Sequence, residues 1–111
     1  MALTVYGIPS CGTVKKVRAD LEHRGIAHTF VDFRANPPPR AQVARWVAAF
    51  GKQALRNTSG ASFRALGPER DAWTDDQWIT AFAADPMLIK RPVVERDGAP
   101  VAVGKSEPER V

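Results

Sequence analysis

The sequence predicts an α/β fold: a mixed sheet of about four strands, helices on both faces, and a helical insertion at about residues 37–90. Three observations predict it. A strand, a helix and a second strand follow one another at the start of the chain, which is the pattern of a βαβ unit. A stretch bounded by Pro and Gly then carries two amphipathic helical patterns. Finally, Asp97-Gly98 joins two β-prone runs as a hairpin.

The elements follow in order. Ala2-Leu3-Thr4-Val5-Tyr6-Gly7-Ile8 is short, apolar and β-prone, and reads as a buried strand. Pro9-Ser10-Cys11-Gly12 is a loop. From Thr13 to about Arg24, Val14, Val17 and Leu21 recur at i, i+3 and i+7, an amphipathic helix that Gly25 stops. Ile26 to Phe33 alternates apolar and polar residues, giving a second strand parallel to the first.

Asn36-Pro37-Pro38-Pro39 breaks the pattern and launches a helix with Val43, Trp46, Val47 and Phe50 on one face and Gly51 at its end. Arg56 to Gly67 is polar and contains glycine, so it is expected as a loop or short turn anchored by Phe63 and Leu66. Thr74-Asp75-Asp76-Gln77 is a capping box for a helix that carries Trp78, Ile79 and Phe82 and stops before Pro86. Val93-Val94-Glu95-Arg96 and Pro100 to Val103 flank the hairpin turn. Seven residues follow Gly104, too few for a long closing helix. This order of elements is that of the thioredoxin fold, in one domain over residues 1–111.

Composition narrows the function. With 111 residues, 44% hydrophobic and 25% charged, the chain is an ordinary globular domain rather than a disordered or collagen-like one. One cysteine excludes an intrachain disulfide and a Cys-based zinc cage. His23 and His28 are too few for a metal site and read as surface residues, so no metal and no bound cofactor are expected. The apolar runs fall far short of the ~18 residues that span a bilayer, and MALTVYGIPS does not read as a signal peptide. The expectation is a small cytoplasmic protein in a reducing compartment, with no membrane partner.

Charge is uneven. Residues 1–56 carry nine Lys/Arg against three Asp/Glu, and residues 57–111 carry seven against nine. A basic half suits anionic ligands or nucleic acid, or is simply a solvated surface. No base-stacking motif accompanies it, so nucleic acid is not the expected partner. Trp46, Trp73, Trp78 and Phe50 read as packing residues, and Arg34, Arg40 and Arg45 as a solvated face.

Cys11 is the residue with chemistry. It lies between a strand and the N-terminus of a helix, where free N–H groups and the helix dipole favour an anion. Lys15 and Lys16 follow within about a turn, and Arg18 lies further along. Such surroundings lower a thiol pKa, and the thiolate is the nucleophile. A lone cysteine is otherwise commonly an inert core residue. Cys11-Gly12-Thr13-Val14 lacks the second cysteine of a C-x-x-C motif, so the resolving thiol must come from outside. Pro92, at the start of a strand, reads from the sequence alone as a trans edge proline.

Four segments carry a family resemblance: Tyr6-Gly7-Ile8-Pro9-Ser10-Cys11-Gly12-Thr13-Val14-Lys15-Lys16, Asp32-Phe33-Arg34, Leu55-Arg56-Asn57-Thr58-Ser59-Gly60 and Ile89-Lys90-Arg91-Pro92-Val93-Val94. Through them nearly the whole chain resembles the arsenate reductase/Spx family, a branch of the thioredoxin fold, and most closely its YffB-like proteins, described as glutathione-dependent thiol reductases. The resemblance implies that Cys11 is the nucleophile, that the Arg91–Pro92 bond is cis, and that Arg91 binds an oxyanion or glutathione. Together with the helix-start amides of Gly12 and Thr13 and with Lys15, this gives an anion site beside the thiol.

The chain also departs from the family pattern. Arsenate reductases carry an arginine just after the last strand, where Gly104-Lys105 stands, and another that corresponds to Asn57. YffB-like relatives have an arginine at Ser59. An oxyanion thus loses two guanidinium donors, and Arg56 or Arg64 would have to complete its cradle. The expected function is therefore thiol–disulfide reduction by one cysteine, with glutathione or another external thiol as co-substrate and a small disulfide or oxyanion as substrate. The alternative is a non-enzymatic regulator that binds RNA polymerase, as Spx does. The missing second thiol of the Spx redox switch argues against it.

Overall fold

In the computed structural model, which describes residues 2–105, strand β1 spans Leu3–Gly7, and Leu3, Val5 and Gly7 are its buried residues. The chain divides into two compact units, Met1–Asn36 with Arg91–Val111, and Pro37–Lys90. The first unit holds helix α1 (Gly12–His23) and strands β2 (Thr29–Asp32), β3 (Val93–Arg96) and β4 (Ala99–Val103) besides β1. Its four-stranded mixed sheet has the order β2-β1-β3-β4. β1 pairs parallel with β2, Val5 opposite Phe30, and antiparallel with β3, Val5 opposite Val94.

One face of this sheet builds the core. Leu3, Val5, Val94 and Ala102 pack with Val17 and Leu21 of α1, and Ile26, Phe30 and Val101 close against them. Val14, Val17 and Leu21 are the buried residues of α1, the stripe read from the sequence. α1 ends in a Schellman motif: Gly25 at φ 70 follows the last turn, the Gly25 amide donates to Glu22, and the Ile26 amide donates to Leu21. Ile26 is thereby spent on closing the helix, which is why β2 begins at Thr29 rather than at the expected Ile26. In the β3–β4 turn, Asp97 and Gly98 both have positive φ, 53 and 82, as a type I′ hairpin requires. On β1 and β3, the Tyr6 hydroxyl donates to the buried carboxylate of Glu95 at 3.1 Å.

The second unit contains α2 (Arg40–Phe50), α3 (Lys52–Leu55), α4 (Ala61–Arg64) and α5 (Asp75–Ala84), with 3-10 turns at Pro68–Ala72 and Pro86–Leu88. The capping box forms as read: the Thr74 hydroxyl accepts from the Gln77 amide, and the Gln77 side chain accepts from the Thr74 amide. The expected loop at Arg56–Gly67 instead contains α4, and α3 precedes it. Phe63 of α4 is buried and stacks on Trp78 at 6.4 Å between ring centroids, so tertiary packing holds a helical turn too short to form alone. Trp73 and Phe82 complete the aromatic group around Trp78, at 5.0 and 5.3 Å. No helix among the described residues is long and apolar enough to cross a membrane. The expectation about a closing helix falls on residues 106–111, outside those described.

Candidate active site

The β1–α1 loop presents Cys11. Its amide donates to the Ile8 carbonyl at 3.2 Å and its carbonyl accepts from the Lys15 amide at 3.0 Å, which makes Cys11 the N-cap of α1. Close packing sets the helix start: a Cβ on Gly7 would stand 2.6 Å from Cγ2 of Val14, so only glycine lets α1 approach β1 this closely.

Arg91 reaches the same place through strand register. β3 runs antiparallel to β1 with Val93 opposite Tyr6. Continuing that register sets Pro92 level with Gly7, the last residue of β1, and Arg91 one residue beyond it, toward the loop that holds Cys11. The Arg91–Pro92 bond is cis, as the resemblance implied and against the trans reading from sequence alone. The Gly104 amide donates to the Pro92 carbonyl at 2.7 Å and ties the end of β4 to this turn. The Arg91 side chain hydrogen-bonds the Cys11 sulfur.

These neighbours set the thiol's acidity. Partial burial pushes the Cys11 thiol up, while the Val14 and Thr13 amides, the Arg91 hydrogen bond and the Arg91 charge together outweigh it, leaving the pKa below the ordinary thiol value. Cys11 makes no conventional side-chain cap bond. The two amides act as dipoles that favour the ionised sulfur. Of the two donors expected, Gly12 and Thr13, Thr13 is one of the pair and Val14 stands in place of Gly12. An N-cap side chain faces the second and third helical amides, here Thr13 and Val14, and leaves the first to one side. That rule would have found Val14.

Lys15 and Lys16 are exposed, and neither is among the groups that lower the thiol. A Cβ at Gly12 would meet nothing within 4 Å, so that approach to the loop is open among the described residues. His23 is exposed, His28 accepts from Arg18 Nε at 3.4 Å, and no cluster of metal-binding side chains occurs among the described residues.

Arg56 and Asn57 belong to the second unit, where both have structural partners. The Arg56 guanidinium lies over Phe63 and Trp78 at 5.6 and 5.7 Å and donates to Gln53. The Asn57 amide donates to Leu88 at 2.7 Å, and its side-chain oxygen accepts from the Ser59 hydroxyl at 3.0 Å. Arg64 donates to the Ser59 carbonyl at 3.0 Å.

Comparison with known proteins agrees with this architecture. The sequence model of the ArsC family matches residues 6–110. The chain is 36% identical to an arsenate reductase of Rhizobium meliloti over 97 residues, covering 85% of this chain and 69% of the relative. It is 32% identical to the uncharacterized protein YusI of Bacillus subtilis, covering 96% and 93%. The solved structure of the YFFB (PA3664) protein superposes with a TM-score of 0.82 at 35% identity, covering 91% of this chain and 90% of that one. A four-stranded mixed sheet of thioredoxin-like topology, with a cysteine at the head of its first helix and a cis-proline beside it, thus belongs to a chain that is a member of the ArsC family.

Proposed function

We propose that the protein is a thiol oxidoreductase that uses Cys11 as its single nucleophile and glutathione, or another small external thiol, as co-substrate. One observation carries the reading: the chain's one cysteine is held by two helix-start amides and a guanidinium that together favour its thiolate. In the forward step the Cys11 thiolate attacks one sulfur of a disulfide. A Cys11–S–S–R bond forms, the original S–S bond breaks, and the leaving thiolate takes a proton from water. An external thiolate then attacks the R sulfur of the mixed disulfide: an R–S–S–R′ bond forms, the Cys11–S–S–R bond breaks, and Cys11 leaves as its thiolate. No second cysteine exists to do this from within. Arg91 holds anionic parts of the substrate, and the Thr13 and Val14 amides steady the sulfur's negative charge. The relatives named arsenate reductases support thiol chemistry that can extend to an oxyanion. A free catalytic thiol suits the reducing cytoplasm.

The test is incubation with oxidised glutathione followed by intact mass and by turnover of a small mixed disulfide. A single adduct, removed by reduced glutathione and absent in Cys11→Ser, is the expected result. An unmodified protein would overturn the reading.

A further inference from the structure

A cleft of about 280 Å³ runs along the outer side of α1, lined by Pro9, Val14, Lys15, Arg18, Ala19 and Glu22. Its head lies beside the nucleophile's loop: Pro9 and Val14 flank Cys11 in the chain, and the Val14 amide acts on the Cys11 sulfur. Along it the charges fall in a fixed order, two cations and then a carboxylate. At a rise of about 1.5 Å per residue, Lys15, Arg18 and Glu22 lie roughly 6, 10 and 16 Å along the helix axis from Cys11. Their side chains lean back toward the N-terminus, which shortens these reaches. Arg18 is braced for the position: its Nε donates to His28 at 3.4 Å and its guanidinium lies over Phe30 at 4.4 Å. The catalytic reading uses none of Lys15, Arg18 and Glu22.

A carboxylate between two cations with an ammonium beside a carboxylate is what an α-amino-acid head group needs. We infer that this cleft is the subsite for the zwitterionic γ-glutamyl head of the thiol or disulfide that exchanges with Cys11. Lys15 and Arg18 take its α-carboxylate and Glu22 takes its α-ammonium. The lengths agree: an extended dipeptide spans about 7 Å, and the γ linkage lengthens that arm by two bonds, which brings the head level with Arg18. The inference rests on the thiol-exchange reading and adds the identity of the group recognised.

The test uses the sign of one effect. Cys11 modification is timed with three disulfides: oxidised glutathione, its analogue with glutaryl in place of γ-glutamyl (no ammonium), and neutral 2-hydroxyethyl disulfide. The variants are Glu22→Gln and Lys15→Met, both at exposed positions. Oxidised glutathione is net anionic, so a general charge effect makes Glu22→Gln react faster with it. The subsite makes Glu22→Gln slower, by about two- to fivefold, as loss of one exposed ion pair allows. The glutaryl analogue should show no such slowing in Glu22→Gln, and Lys15→Met should slow both anionic disulfides. Rates with 2-hydroxyethyl disulfide should stay unchanged in Glu22→Gln. If Cys11 reacts with the neutral disulfide while Glu22→Gln is unchanged or faster with oxidised glutathione, the subsite is wrong and thiol exchange stands. If Cys11 is inert to all three, both fall together.

Discussion

Gly7 and Val14 touch across the β1–α1 junction so closely that a Cβ on Gly7 would stand 2.6 Å from Cγ2 of Val14. Val14 belongs to the first turn of α1, whose amides face Cys11. The contact therefore sets where the helix dipole meets the sulfur, and links a backbone requirement in a strand to the acidity of a thiol.

Replacing Gly7 with Ala should push the start of α1 away from β1. The expected cost is about 1–3 kcal/mol of stability, the usual range for overpacking, with slower alkylation of Cys11 at neutral pH. Adding Val14→Ala should recover the alkylation rate by clearing the clash. Denaturant unfolding and iodoacetamide kinetics on both variants check this. A Gly7→Ala protein as stable and as reactive as the parent would show that the close approach does not matter.

The pH dependence follows from the direction of the thiol shift. The folded pKa of Cys11 is lowered, so its contribution to stability is fully present above the ordinary thiol pKa of ~8.5 and is lost as pH falls through the lowered value. Against Cys11→Ser, the parent should gain stability as pH rises through that window. The alkylation midpoint should lie below the free-thiol value. Arg91→Ala should raise it, while Lys15→Ala and Lys16→Ala should leave it nearly in place, because neither lysine acts on the sulfur.

Anion binding should depend on Arg91 in the same way. Calorimetry on Arg91→Ala should show sulfate or glutathione bound more weakly by about 1.5–3 kcal/mol, the range for a hydrogen bond to a charged group. Unchanged binding would remove Arg91 from the anion site.

Arsenate turnover should be negligible beside thiol–disulfide exchange. The family resemblance implies an arginine of arsenate reductases just after the last strand, where this chain has Gly104, at φ 76 with its amide bonded to Pro92. An L side chain there is strained, so Gly104→Arg alone should not confer arsenate reduction. A robust glutaredoxin-coupled arsenate reductase rate in the parent would contradict this.

Arg56 should behave as a structural residue of the helical unit. Losing its stacking on Phe63 and Trp78 and its bond to Gln53 should cost roughly 1–2 kcal/mol in Arg56→Ala. Thermal and denaturant unfolding measure it, and a neutral effect would release Arg56 for a role in ligand binding.

Much of this fold could be read from local signals. Asp97-Gly98, Gly25 and the Thr74–Gln77 box each dictate their turn or cap through backbone chemistry alone, and each forms as read. The short helices at 52–55 and 61–64 could not, since their own propensity is too weak and their stability comes from residues such as Phe63 meeting Trp78. At the site, the position of Cys11 at a helix start was legible. Its electrostatics were legible in part: nearness in sequence suggested Lys15 and Lys16, which do not act on the sulfur, whereas Arg91, set beside the thiol by the family resemblance, does so because β1 and β3 are in register.

The lone cysteine has a consequence in mass action. A protein with two exchanging thiols closes its own disulfide and releases both external sulfurs, so its oxidised fraction varies with the total amount of small thiol as well as with its oxidation state. A mixed disulfide at Cys11 exchanges one external sulfur for one, because the chain holds no other. At equilibrium its occupancy follows the ratio of disulfide to thiol around it, and dilution of both by the same factor leaves it unchanged.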